Sequence, residues 1–79
     1  MKATVLVRPK EGILDPQGQA IEQSLRKLGF DVEHARVGRV VDFDVEASSA
    51  DEARERVIEM CRQLLANPLI ESYEVEVHE

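Results

Sequence analysis

One cysteine, no tryptophan, three other aromatic residues and a single asparagine leave this 79-residue chain without several common devices. A lone Cys61 excludes an internal disulfide and any site built of several thiolates. Phe30, Phe43 and Tyr73, the only aromatic rings, make a poor platform for stacking single-stranded bases. Ten bases against sixteen acids give a net charge of −6, which opposes phosphate-backbone binding because that needs clustered Lys and Arg. Nucleic acid is therefore not an expected partner. Long apolar runs are missing too: Leu64-Leu65-Ala66 is far too short to span a membrane. The opening M-K-A-T-V-L-V-R-P-K lacks the apolar stretch of a signal peptide and reads as a strand. Neither membrane nor secretion is expected, and the expected location is cytoplasmic.

Size adds a further constraint. The chain reads as one domain over residues 1–79, and a domain this small buries only roughly 60–65% of its unfolded surface. With no disulfide or metal framework to staple the core, association with further copies is the expected supplement.

What is present centres on Pro9–Gly18, P-K-E-G-I-L-D-P-Q-G. Two prolines and two glycines make it a loop, and Asp15-Pro16 marks a helix start. The Asp15 carboxylate can accept from the first free N–H groups, and Pro16 at the first helical position gives up no bond. Before this loop, Ala3, Val5 and Val7 alternate with Thr4, Leu6 and Arg8 as a strand. After it, Ala20, Ile21, Leu25 and Leu28 form one helical stripe, closed by Gly29.

Phe30–Val37 reads as a second strand and Val40–Ala47 as a third, with Val37-Gly38-Arg39 as a hairpin turn between them. Ser49 and Glu52 form a capping-box signature. The helix they open carries Ala53, Val57, Met60, Cys61 and Leu64 on one side, and Pro68 stops it near Ala66. Ile70–Val77 is the fourth strand, with Tyr73, Val75 and Val77 inward. The order β-α-β-β-α-β predicts an α+β, ferredoxin-like split βαβ sandwich. It has a four-stranded antiparallel sheet in the order 4-1-3-2, two helices on one face, and the other face bare.

No catalytic constellation is expected. Cys61 lies on the apolar stripe of the second helix as a small hydrophobe, and neither His34 nor His78 has a second ligand spaced with it. On the bare face Asp42, Asp44, Glu46, Glu74 and Glu76 flank Leu6 and Arg8, with Arg8, Arg36 and Arg39 as compensating charges. A solvated polar face and an interface both fit that pattern. Lys10 beside a helix N-terminus hints at an anion, but Glu11 and Asp15 oppose one. An iron–sulfur protein, an RNA-recognition module, a heavy-metal carrier and an acylphosphatase-like enzyme each lack their residues here. A binding or assembly module is what survives.

The residues also carry a resemblance. V-L-V-R-P-K-E-G-I-L-D-P-Q-G-Q-A-I (Val5–Ile21), L-R-K-L-G-F (Leu25–Phe30), R-V-G-R (Arg36–Arg39) and M-C-R-Q-L-L-A-N-P-L-I-E-S-Y (Met60–Tyr73) resemble the PurS family. Its members are small subunits of the phosphoribosylformylglycinamidine (FGAM) synthase complex. Arg39 stands where that family often has Lys, which keeps the charge and changes the donor geometry. The resemblance implies a role in de novo purine biosynthesis as a non-catalytic assembly subunit. Such a subunit bridges an ATP-dependent synthetase subunit (PurL) and a glutaminase subunit (PurQ), and helps to protect ammonia in transit. It would hold no cofactor itself, ATP and Mg belonging to the synthetase, and would form a homodimer or homotetramer. The complex is a carbon–nitrogen ligase with glutamine as amide donor.

Two candidate surfaces follow. Arg8, Lys10, Leu14, Asp15, Asn67, Pro68 and Ile70, in the loop and the N-P turn, are the candidate partner interface. Leu6, Arg36, Arg39, Val40, Asp42 and Asp44 are the candidate homo-oligomer face. The alternative class is an ACT-like regulatory domain, which shares the element order and binds a small molecule between two copies.

Overall fold

The computed structural model describes residues 1–78. Five regular elements follow one another: β1 (Lys2–Pro9), α1 (Pro16–Lys27), β2 (Arg39–Asp44), α2 (Ala50–Met60) and β3 (Glu71–His78). A π-helical stretch, Cys61–Leu65, continues α2.

The sheet has the order β2-β1-β3, with both neighbours antiparallel to β1. Val5 stands opposite Val41 and Val75, and Ala3 opposite Phe43 and Val77. Period-two alternation decides which face is inside: Ala3, Val5 and Val7 are fully buried, and Val41, Phe43, Tyr73, Val75 and Val77 pack around them half-buried. α2 covers this face with Ala53, Val57 and Cys61. Ser49 caps α2 by accepting from Glu52 N–H at 3.1 Å, while the Glu52 carboxylate reaches back to Ser48 N–H at 3.2 Å. The last turn is wide because Ala66 N–H donates to Cys61 O five residues back, at 3.1 Å. Asn67-Pro68 then ends the helix.

The expected four-stranded sheet in the order 4-1-3-2 is not what forms. Strands one, three and four of the sequence reading are β1, β2 and β3, with the adjacency anticipated for them. The run Phe30–Val37 forms no strand, and no hairpin closes at Val37-Gly38-Arg39. Its backbone is engaged by α1 instead: Ala35 N–H donates to Glu22 Oε1 (3.0 Å), Val37 N–H to Asp15 Oδ2 (2.8 Å), and Arg26 Nε to Val32 O (2.9 Å). His34 breaks any ladder there with φ at 57°, a conformation a β-strand does not contain. The first helix of the expected sandwich is displaced as well, since no α1 side chain joins the core. α1 and the return segment 30–37 make an arm beside the sheet, and the molecule measures 50 × 25 × 14 Å.

The arm is well specified locally. Asp15 caps α1 through Gly18 N–H at 3.0 Å, with Pro16 at the first turn. At the other end Gly29 N–H donates to Arg26 O and Phe30 N–H to Leu25 O, both at 3.0 Å, a Schellman motif that needs the positive φ of Gly29, 97°. Within α1, Gly18 is where the return segment comes closest: a Cβ there would lie 2.3 Å from Ala35 O. Replacing an exposed helical Gly by Ala ordinarily stabilises by roughly 0.5–1 kcal/mol. Gly18→Ala is expected to do the reverse, lowering the urea midpoint and displacing the return segment. A raised midpoint would contradict the close approach.

Candidate functional site

The loop between β1 and α1 and the turn before β3 meet at one end of the molecule. Lys10 N–H donates to Ile70 O at 2.9 Å, and Lys10 Nζ to Pro68 O at 2.6 Å. Ile13 N–H closes a turn on Lys10 O at 3.2 Å. In the facing turn, Asn67 Oδ1 accepts from Leu69 N–H at 3.1 Å, and Asn67 O accepts from Ile70 and Glu71 N–H. A cavity of about 270 Å³ lies between them, lined among others by Pro9, Ile13, Leu14, Val37 and Ile70. Asp15, Gln17, Arg39 and Glu71 line it as well, and two leucines of this end are open to solvent, Leu14 71% and Leu69 83% exposed.

Two arginine-centred assemblies tie this end together. Arg36 Nη2 donates to Pro9 O (3.0 Å) and Lys10 O (2.6 Å), tying the return segment to the loop. Arg39 makes a two-point contact with Glu71, 2.6 and 3.0 Å, and donates to Leu65 O at 2.6 Å. Glu71 also accepts from Asn67 N–H at 2.8 Å, so one ion pair joins β2, the end of the helix, the turn and β3. Arg39 first, and then the Asn67 N–H, hold the Glu71 carboxyl below the usual range. The Asp15 carboxyl is lowered by the N–H of Val37 first and of Gly18 second, and Glu22 mainly by Ala35 N–H.

Of the seven residues expected at a partner interface, the structure brings Lys10, Leu14, Asp15, Asn67, Pro68 and Ile70 to this end. The Arg8 guanidinium lies on the open sheet face, 3.4 Å from Glu74. That face also carries Leu6, Val40, Asp42 and Asp44, with Thr4 Oγ1 donating to Asp42 at 2.6 Å. The other two residues expected there are occupied elsewhere: Arg36 by the loop carbonyls, and Arg39, which turns to the helix side, by Glu71 and Leu65 O. The joining role of Arg39 and Glu71 was missing from the sequence reading. Leu69 was missed too, although an apolar residue in an exposed N-P turn carries the same signal that singled out Leu14.

Catalytic chemistry has little to work with here. Cys61 is buried, and burial pushes its thiol up. His34 lies 3.8 Å from the Glu33 carboxylate and His78 3.8 Å from that of Glu76. Among the described residues no group of three or more His, Cys, Asp or Glu is placed to hold a metal ion. No helix among them is long and apolar enough to cross a membrane.

The profile of the PurS family, phosphoribosylformylglycinamidine (FGAM) synthase, matches residues 2–79. The chain belongs to the PurS family. It is a subunit of FGAM synthase, an enzyme of purine biosynthesis. It is 43% identical over 76 residues to PurS of Archaeoglobus fulgidus, covering 95% of each chain. To PurS of Bacillus subtilis it is 40% identical over 79 residues, covering 99% of this chain and 93% of that one. Solved structures agree. The crystal structure of PurS from Methanocaldococcus jannaschii, one of the subunits of formylglycinamide ribonucleotide amidotransferase in the purine biosynthetic pathway, superposes with a TM-score of 0.87 at 39% identity. The match covers 99% of this chain and 95% of that one. A chain in the structure of PurLQS from Thermotoga maritima gives 0.87 at 37% identity, covering 95% and 93%. The ACT-like alternative is set aside by this membership.

Glu71→Gln keeps the shape of the joining ion pair and removes its charge. It is expected to cost about 1 kcal/mol, the upper end for a half-exposed pair, read as a lower denaturation midpoint. An unchanged midpoint would show that the pair contributes nothing. A second expectation concerns acid. Asp15 and Glu22 are lowered in the fold, so their contribution is complete above their ordinary values of 3.8 and 4.5 and is lost as pH falls through the lower native values. The Val37 and Ala35 amide resonances should shift together on acidification, and Asp15→Asn should abolish the response at Val37. A Val37 amide that titrates identically in the variant would contradict the assignment.

Proposed function

We propose that this chain is the non-catalytic assembly subunit of its FGAM synthase, bridging the ATP-dependent synthetase subunit PurL and the glutaminase subunit PurQ in the cytoplasm. The observation that carries the reading is the convergence of two family-signature segments, Pro9–Gly18 and Asn67–Ile70. Together they form one braced end with exposed Leu14 and Leu69. A preorganised surface with apolar anchors is what a subunit interface requires, because ordering costs are already met before binding. PurLQS of Thermotoga maritima supports the choice of partners.

In this reading, ATP and Mg are held by the synthetase, and the chain itself works as two or four copies. The open sheet face, with Leu6, Val40, Asp42 and Asp44, supplies a contact between copies. Ammonia released by the glutaminase passes under the cover of the assembled subunits.

The decisive experiment reconstitutes glutamine-dependent FGAM formation from the synthetase and glutaminase subunits, with and without this chain. Activity and co-elution of the three are expected to require it. Leu14→Asp and Leu69→Asp, at exposed positions, should each weaken association at least about tenfold, the equivalent of roughly 1.4 kcal/mol. Full activity without the chain would overturn the assembly role, and intact assembly in both variants would overturn this docking end.

A further inference from the structure

β3 is a long edge strand with an open outer side. It runs eight residues, and its ladder with β1 continues without a bulge from Pro9 opposite Glu71 to Lys2 opposite His78. It contains neither Pro nor Gly. An edge of that length and regularity is ordinarily blunted or covered, because its free N–H and C=O groups are a template for another strand.

The register identifies the free groups. Met1 and Val45 exchange N–H···O contacts of 2.8 and 3.0 Å, which puts the backbone groups of odd-numbered β1 residues toward β2. Even-numbered ones turn to β3, and Lys10 N–H continues that side by donating to Ile70 O. On β3, Ser72, Glu74, Glu76 and His78 therefore serve β1, while Tyr73, Val75 and Val77 point their N–H and C=O outward. Among the described residues only one of these outward groups has a partner: Val75 O accepts from Arg54 Nη1 at 3.1 Å.

Side chains along the edge are sorted by face. Toward α2, half-buried Tyr73 and Val75 line a groove of about 450 Å³ together with Arg54 and Ile58. Glu74 and Glu76 border it from the open face, where both are exposed. A second copy fits this edge badly. The antiparallel register that uses all three free residues pairs Val75 with Val75 and Tyr73 with Val77. It sets Glu74 of one copy opposite Glu76 of the other, twice over, in a chain of net charge −6. A strand of opposite charge meets no such repulsion. The edge also starts where the turn Asn67–Ile70 ends, so it prolongs the braced docking end along the sheet.

We infer that the free edge of β3 takes up an extended segment of a partner subunit of the enzyme as an added strand. Its alternate residues are apolar, over Tyr73 and Val75 in the groove, and Lys or Arg, facing Glu74 and Glu76. Backbone hydrogen bonds to Tyr73, Val75 and Val77 supply the attachment, and the two carboxylates select against this chain's own β3. The inference rests on the assembly reading and adds a second contact to it.

The experiment records hydrogen exchange at single-amide resolution on the full-length chain alone, with each of the synthetase and glutaminase subunits, and with both. Alone, the amides of Tyr73, Val75 and Val77 are expected to exchange quickly and those of Glu74 and Glu76 slowly. Assembly should slow the first three at least about tenfold. The subunit that achieves this supplies the strand. Val77→Pro removes an outward N–H that the ladder does not use, and Val77→Ala controls for the lost side chain. The Pro variant should bind its partner at least about tenfold more weakly than the Ala variant. Edge amides that stay fast in the complex, protection that appears in the chain alone and grows with its concentration, or equal binding by the two variants would overturn the inference. Activity that requires the chain while the edge stays open would overturn it and leave the assembly role standing.

Discussion

The Asp15 carboxylate is the junction on which the arm beside the sheet depends. One oxygen accepts from Gly18 N–H and caps α1; the other accepts from Val37 N–H and anchors the segment that returns from the far end of that helix. A side chain that is ordinary as a cap thereby sets the direction of a whole arm. Gly18 lets the helix and the return segment of the arm close on each other, and Arg36 fastens the arm to the loop carbonyls of Pro9 and Lys10. The core makes no comparable demand on α1, so this small polar cluster and not hydrophobic burial decides where the helix points.

The sheet is governed by the opposite logic. Its buried residues are small, chiefly Ala3, Val5, Val7, Ala53, Val57 and Cys61, and they fit a single helix laid on three strands. Such a core excludes water from a narrow strip only, and the valines and aromatics on either side of β1 stay half-open. The Arg39–Glu71 pair compensates at one end by drawing four chain segments to one point. Polar cross-linking of this kind is worth little per contact at a surface, but its geometry is specific, and it places the loop and the turn side by side.

Three strands and both helices could be read in the sequence because each has a period or a cap that depends only on nearby residues. Ala3-Val5-Val7 and Val41-Phe43-Val45 alternate, Asp15-Pro16 and Ser49–Glu52 announce helix starts, and Asn67-Pro68 announces a stop. Phe30–Val37 misled for a physical reason. Its apolar residues, Phe30, Val32, Ala35 and Val37, report that parts of the run will be covered, and they cannot report whether a strand, a helix or another molecule does the covering. Here Glu22 and Asp15 supply the acceptors that a neighbouring strand would have supplied. The loop and the turn were visible through Pro, Gly and Asn. The ion pair joining Arg39 to Glu71 was not, since partners 32 residues apart meet only once the strand register is set.

The wide turn at Cys61–Leu65 has a consequence for how this protein can vary. A π turn is an α-helix carrying one residue more than its pitch accommodates. Between the Ser49 cap and the Asn67-Pro68 stop, that surplus residue fixes the rotational phase at which the helix ends, and so presents Leu65 O to Arg39. Exposed side chains along this helix can change without moving its end, but removing one residue would turn its last carbonyls away from the strand. Chain length in this segment is therefore under a stricter constraint than chain identity.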